Sequence, residues 1–118
     1  AIPVSLEMAR DVLKDILIER NRELSIEEII KKVSIHFNIK ISDIKSAKRL
    51  KAVVLPRQIA MYISRQLTSS SYPEIGDRFG GKDHSTIIHA IRKIEKLRED
   101  DFQLNSTIEN IKKELTNI

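Results

Sequence analysis

The sequence predicts an all-α protein, a compact helical domain of about six helices that contains a helix-turn-helix and is preceded by a linker helix. Apolar residues recur at helical spacing along most of the 118 residues, and Ser or Asp stands directly before several of these runs, where an N-cap belongs. Only three Gly and three Pro are present, too little punctuation for the many turns of an all-β fold. The chain has the length of one domain, and with 41% hydrophobic but only 4% aromatic residues and no Trp, its core must be aliphatic.

The first expected helix runs from a Ser5 cap to about Arg20, with Leu6, Ala9, Leu13, Ile16 and Leu17 on one face. A break at Asn21 to Glu23 divides a linker helix, 1–23, from the domain proper, 24–118. Ser25 caps the next helix; Glu28 sits at capping-box spacing, Leu24 and Ile29 occupy the positions of a hydrophobic staple, and Ile26, Ile29, Ile30, Val33 and Phe37 form its stripe. A short turn or helix near Ser42 to Ser46 leads into Lys48, Arg49, Leu50 and Lys51. Pro56 suits the start of a further helix, in which Ile59, Ala60, Ile63 and Leu67 repeat. Ser71 and Glu74 make another capping box, giving a brief helix from about Tyr72 to Phe79 that Gly80 and Gly81 end. Asp83 caps a helix reaching about Leu97 or Arg98. A last helix is expected from near Ser106, with Ile108, Ile111 and Leu115 inward.

The net charge of +4 is mild, but its distribution is uneven. Residues 1–30 sum to −3, whereas residues 31–66 carry nine basic groups and one acidic, a net +8. A block of that kind can hold a polyanion by counterion release and steering. The absence of Cys excludes disulfide frameworks and thiolate metal sites and fits a reducing compartment. No apolar run has the length of a membrane span and no signal-peptide pattern is seen, so a cytoplasmic location is expected. The start at Ala1 suggests a piece of a larger parent protein.

A short helix, a glycine turn and a longer helix between Pro73 and Leu97 have the plan of a helix-turn-helix, whose second helix enters the major groove. On a wheel of about 100° per residue, Ile87, Ile88, Ile91 and Ile94 cluster on one side. Opposite them lie Ser85, Thr86, His89, Arg92, Lys93 and Lys96, a face of small hydroxyls, an imidazole and cations that can meet base edges and phosphates.

At these residues the sequence resembles a known family. The run from Gly80 to Ile94, GGKDHSTIIHAIRKI, is similar to the signature of the DnaA family of bacterial replication initiators, and Pro73 to Gly76 and Pro56 to Met61 resemble its neighbouring blocks. The similarity covers about residues 24 to 115, and the first helix resembles the end of the lid of that family's ATPase module. The resemblance implies binding of double-stranded DNA at replication-origin DnaA boxes, with no cofactor in this chain, any ATP site upstream of it, and assembly through parts of the parent protein outside it. It further implies that Asp83, His84, Ser85, Thr86 and His89 read bases in the major groove, that Arg49 enters the adjacent minor groove, and that Arg57, Gln58, Arg65 and Lys93 hold backbone. Ser85, where the family usually has Thr, and Lys82, where it often has Arg, are departures, and the first removes a methyl group that could touch a base.

Elementary chemistry agrees with most of these assignments. An Arg is favoured in a narrow A·T minor groove, and donors at a helix N-terminus, where Pro56 would place Arg57 and Gln58, suit phosphate. Asp83 can cap its helix or accept from a cytosine amino group, and the sequence leaves both open. His84 lies toward the core side by phase, so a contact requires the first turn to overhang the groove.

Other chemistries fit less well. Gly76 to Lys82 has the spacing of a P-loop up to its Lys, but Asp83 stands where Ser or Thr should ligate Mg²⁺ and no strand precedes it. His84 and His89 are roughly 140° apart on their helix, a poor arrangement for one metal, and no nucleophile and base pattern supports catalysis. The competing reading is a helical protein-interaction module whose basic middle binds an acidic partner. Such a face would more often carry exposed aromatics or Leu than Ser85, Thr86 and His89.

Overall fold

A computed structural model of the chain describes residues 24–116. The expected first helix, from Ser5 to about Arg20, lies outside the described residues. Within them the structure contains six helices and no strand: α1 (Ile26–Phe37), α2 (Ile41–Ile44), α3 (Lys51–Leu67), α4 (Tyr72–Arg78), α5 (His84–Asp100) and α6 (Phe102–Thr116). The all-α class is the one the sequence predicts.

Helix α3 is the centre of the fold and packs against α5 and α1 above all. Its residues Ile59 to Ser64 are all buried, so this stretch has no solvent face, as a central helix requires. Ile29, Ile30 and Val33 of α1, Ile75 of α4, Ile87, Ile91 and Ile94 of α5, and Ile108 and Ile111 of α6 close around it. Each fully buried Ile contributes about 1.5–3 kcal/mol relative to leaving it exposed, which is how an aliphatic core without Trp holds six short elements together.

The caps form as their chemistry demands. The Ser25 hydroxyl accepts the Glu28 N–H at 3.1 Å, and α1 ends on Asn38 in the left-handed region at φ 54°. At Ser25 only the hydroxyl half of the expected capping box is formed among the described residues, whereas at Ser71 and Glu74 both halves are present.

Two helix starts differ from expectation. Helix α3 begins at Lys51 and not at Pro56, which therefore lies inside the helix and withholds one backbone donor. Burial of Val53 and Pro56 holds this first stretch down without a side-chain cap at Leu50. Helix α6 begins at Phe102, not near Ser106, because Asp101 acts as its cap: Asp101 Oδ1 accepts the Leu104 N–H at 3.0 Å. Helices α5 and α6 are thus separated by one residue. Arg98 ties this corner to the core, lying over the Tyr62 ring at 5.4 Å from its centroid and donating to the Tyr62 hydroxyl, to Glu109 and, at 2.7 Å, to Asn105 Oδ1.

Candidate nucleic-acid interface

Helices α4 and α5 with the intervening turn make a helix-turn-helix. The turn is closed on Gly76, whose carbonyl accepts the N–H groups of Gly81 at 3.0 Å and Lys82 at 2.9 Å. A Cβ at Gly76 would stand 2.0 Å from the Lys82 carbonyl oxygen, so only glycine admits this approach. Asp83 then caps α5: its side chain accepts the Thr86 N–H at 3.1 Å. The capping role of Asp83 is therefore occupied in the free domain, and the side chain remains exposed.

Helix α5 divides as its periodicity requires. Ile87, Ala90, Ile91 and Ile94 are buried against α3 and α4, while Ser85, Thr86, His89, Arg92, Lys93 and Lys96 are exposed. Thr86, His89 and Lys93, spaced three and four apart, share one face. His84 is also exposed, because in the first turn its side chain clears the core that phase alone assigned it to. Among the described residues none of Arg92, Lys93 and Lys96 forms an ion pair, so the face keeps its positive charge.

The basic loop after α2 sits beside this turn. The Lys82 ammonium donates to the carbonyls of Lys45, at 3.1 Å, and Phe79, at 2.7 Å. Gly80, at φ 89°, is so close to the same loop that an added Cβ would lie 2.2 Å from the Lys45 carbonyl oxygen. Arg49, further along the loop, is exposed and has no ion pair among the described residues. Other charges of the +8 segment are already matched: Lys45 pairs with Glu27 at 3.1 Å and Lys48 with Asp43 at 2.8 Å. Burial would raise the Glu27 carboxyl, but Lys45 and Arg78 outweigh it and hold the group below its ordinary value. The Lys48 hydrogen bond does the same for Asp43.

Arg57 does not stand at the helix N-terminus that Pro56 suggests. Because α3 begins at Lys51, it lies in the second turn and is only 6% exposed. Its guanidinium points back over the basic loop. Nε donates to the Ile44 carbonyl, Nη1 to the Lys48 carbonyl and Nη2 to the Asp43 carbonyl, each at 2.8 Å, and Nη2 also reaches Ser46 Oγ at 3.2 Å. Burial lowers the Arg57 pKa from its ordinary value, opposed by Asp43; Lys82 is lowered by burial and then by the Arg57 charge.

The other candidates for the backbone role are placed as follows. Arg65 is exposed at the end of α3, donates to the Ser70 carbonyl at 2.9 Å, and lies over the Tyr72 ring at 4.2 Å, beside the capped start of α4. Gln58 is half-buried, with Oε1 lacking a partner in the described structure. Sequence reasoning missed the role of Lys82, which it noted only as a departure from a family pattern. Its partner Lys45 is 37 residues away, so no local spacing could have shown it.

Comparison with known proteins decides the family. The family described as the bacterial dnaA protein helix-turn-helix matches residues 26–94, more than half of the chain. The chain belongs to this DnaA helix-turn-helix family. It is 61% identical over 112 residues to the chromosomal replication initiator protein DnaA of Geotalea daltonii, covering 95% of this chain and 25% of that protein. Against the DnaA of Cereibacter sphaeroides the identity is 48% over 110 residues, 93% of this chain and 24% of the relative. The chain thus spans about a quarter of the length of the DnaA relatives it matches. Among solved structures it is similar to a DNA replication initiation factor, with a TM-score of 0.71, 28% identity, and coverage of 98% of this chain and 36% of that one.

Proposed function

We propose that this domain binds double-stranded DNA sequence-specifically, at DnaA boxes of a replication origin, and so tethers an initiator protein there. The observation that carries the reading is the division of α5: a buried isoleucine face on one side, and on the other an exposed, cationic face with Ser85, Thr86 and His89 near its N-terminus. Small side chains at that end let the backbone approach base edges, and the cations of the following turns lie where phosphates flank a major groove.

In this reading Asp83, His84, Ser85, Thr86 and His89 face bases in the major groove. Arg49 enters the adjacent minor groove, where an unpaired guanidinium is attracted to narrow A·T tracts. Lys93 and Arg65 hold phosphates, the latter at the start of α4, and Gln58 adds an amide donor. Residues 1–23 link the domain to the rest of the initiator, whose ATPase and assembly functions lie elsewhere. The domain works in the cytoplasm on the chromosome and needs no cofactor of its own.

Selection of bound duplexes from a random pool at near-physiological salt tests the proposal. Enrichment of one short motif with an A·T-rich flank is the expected result. A pool that stays random would overturn it and favour docking of an acidic protein partner on the same basic face.

A further inference from the structure

The basic loop is held by two cations that are themselves turned inward. Arg57 links the carbonyls of Asp43 and Ile44, at the end of α2, with that of Lys48, near the far end of the loop. Ser46 completes the knot: its hydroxyl donates to the Asp43 carbonyl at 2.7 Å and accepts the Lys48 N–H at 3.2 Å. The Lys48 carbonyl belongs to the peptide that continues into Arg49, so fixing it fixes the plane of that peptide and the place of the Arg49 Cα. From the other side Lys82 holds the Lys45 carbonyl, which lies close against Gly80 of the helix-turn-helix turn.

We propose that Arg57 is a positioning residue for Arg49 and not a phosphate ligand, and that together with Lys82 it makes the basic loop and the recognition helix one rigid reading unit. The inference rests on the reading above, in which Arg49 enters a minor groove. Four of the guanidinium's five N–H groups are engaged within the protein and the side chain is only 6% exposed, so little of it is presented to a phosphate and its main partners are the loop's own carbonyls. A mobile loop would lose freedom on presenting Arg49 to a groove, whereas a loop already held has lost it on folding. Discrimination between flanks therefore depends on Arg57 although Arg57 touches no DNA.

The test uses titrations of wild type, Arg49→Ala, Arg57→Lys, Arg57→Gln and Lys82→Met on duplexes that share the core motif and differ in an A·T or G·C flank, each over a range of salt. Arg57→Lys keeps the charge but cannot span three carbonyls. Both Arg57 variants are expected to lose the flank preference to within about twofold of Arg49→Ala, and to lose little more when combined with Arg49→Ala. The slope of log K against log salt should stay at the wild-type value. Lys82→Met should lower the flank preference with the slope again unchanged, and if the Arg57 variants fail to fold Ser46→Ala serves in their place: it removes a loop partner of Arg57 and no charge, and an unchanged flank preference would overturn the proposal. A slope smaller in magnitude by about 1 with the flank preference intact, or near-complete rescue by Arg57→Lys, would show a direct phosphate contact and overturn the proposal. A wild-type domain without flank preference, or an Arg49→Ala variant that keeps it, overturns the minor-groove reading itself, and the positioning role with it.

Discussion

The carbonyl of Gly76 accepts the Lys82 N–H at 2.9 Å, and a Cβ placed on Gly76 would lie 2.0 Å from the Lys82 carbonyl oxygen. The two residues close the helix-turn-helix by backbone alone. Gly76→Ala gains up to about 1 kcal/mol in helix propensity, but it drives a carbon into a backbone oxygen that no rotamer change can move aside. Overpacking typically costs about 1–3 kcal/mol, and a contact this short with a backbone oxygen belongs at the upper end, so the clash wins. The melting temperature of Gly76→Ala should fall by about 10 °C, with binding to specific and random duplexes lost in parallel. A variant that melts within about 2 °C of wild type would show that the turn is more yielding than its geometry implies.

Arg65 is the exposed candidate for a phosphate contact. It reaches the Ser70 carbonyl and the Tyr72 ring with part of its guanidinium and leaves the rest to solvent beside the start of α4. Arg65→Ala should weaken binding to all duplexes alike and reduce the magnitude of the salt slope by about 1. Loss of the cation–π contact should cost stability no more than about 1 kcal/mol. Weakening confined to one sequence, with the slope unchanged, would assign Arg65 to base reading.

Arg57 and Arg65 show what a sequence can and cannot tell about such a site. Both are cations of the same helix, and the family resemblance implies the same role for both. Arg57 is turned inward by carbonyls 9, 13 and 14 residues back along the chain, which no local pattern encodes. What was legible is what is locally determined: the caps at Ser25, Ser71 and Asp83 satisfy donors three residues on, and the stripes of α1 and α5 follow from helical spacing. The two misplaced helix starts have the converse cause. Pro56 and Ser106 each match a start signal within their own few residues, but burial of Val53 and the Asp101 cap extend α3 and α6 past them.

Arg98 and Glu109 give the fold a pH dependence. The Arg98 hydrogen bond, with Lys112 adding to it, holds the Glu109 carboxyl below its ordinary value against a smaller opposing effect of burial. A depressed carboxyl pKa stabilises the fold at pH above the unfolded value, about 4.3, and that stability is lost as pH falls through the folded pKa. With the Glu109 side chain 40% exposed, solvent screening keeps the contribution below about 1 kcal/mol. Glu109→Gln should therefore melt a few degrees lower at about pH 7, with the gap to wild type closing below about pH 4. A gap that widens on acidification would contradict this assignment.

Thr86 and His89 carry the most direct test of base reading, because both are exposed on the same face of α5 and neither side chain packs in the core. Exposed substitutions of this kind change stability by less than about 0.5 kcal/mol, so Thr86→Ala and His89→Ala should fold and melt like wild type. The Asp83 cap survives in Thr86→Ala, since it uses the backbone N–H of Thr86 and not its side chain. Binding should behave differently. Loss of one base contact costs about 1–3 kcal/mol on the matched duplex and leaves affinity for random DNA, which rests on phosphates, nearly unchanged. The ratio of the two affinities should fall by about 5- to 150-fold, a measure that also excludes misfolding, because an unfolded fraction lowers both affinities together. Titration of each variant against the selected motif and a scrambled duplex reads that ratio directly. Equal losses on both duplexes in a variant that melts like wild type, or no loss on either, would remove Thr86 and His89 from base reading.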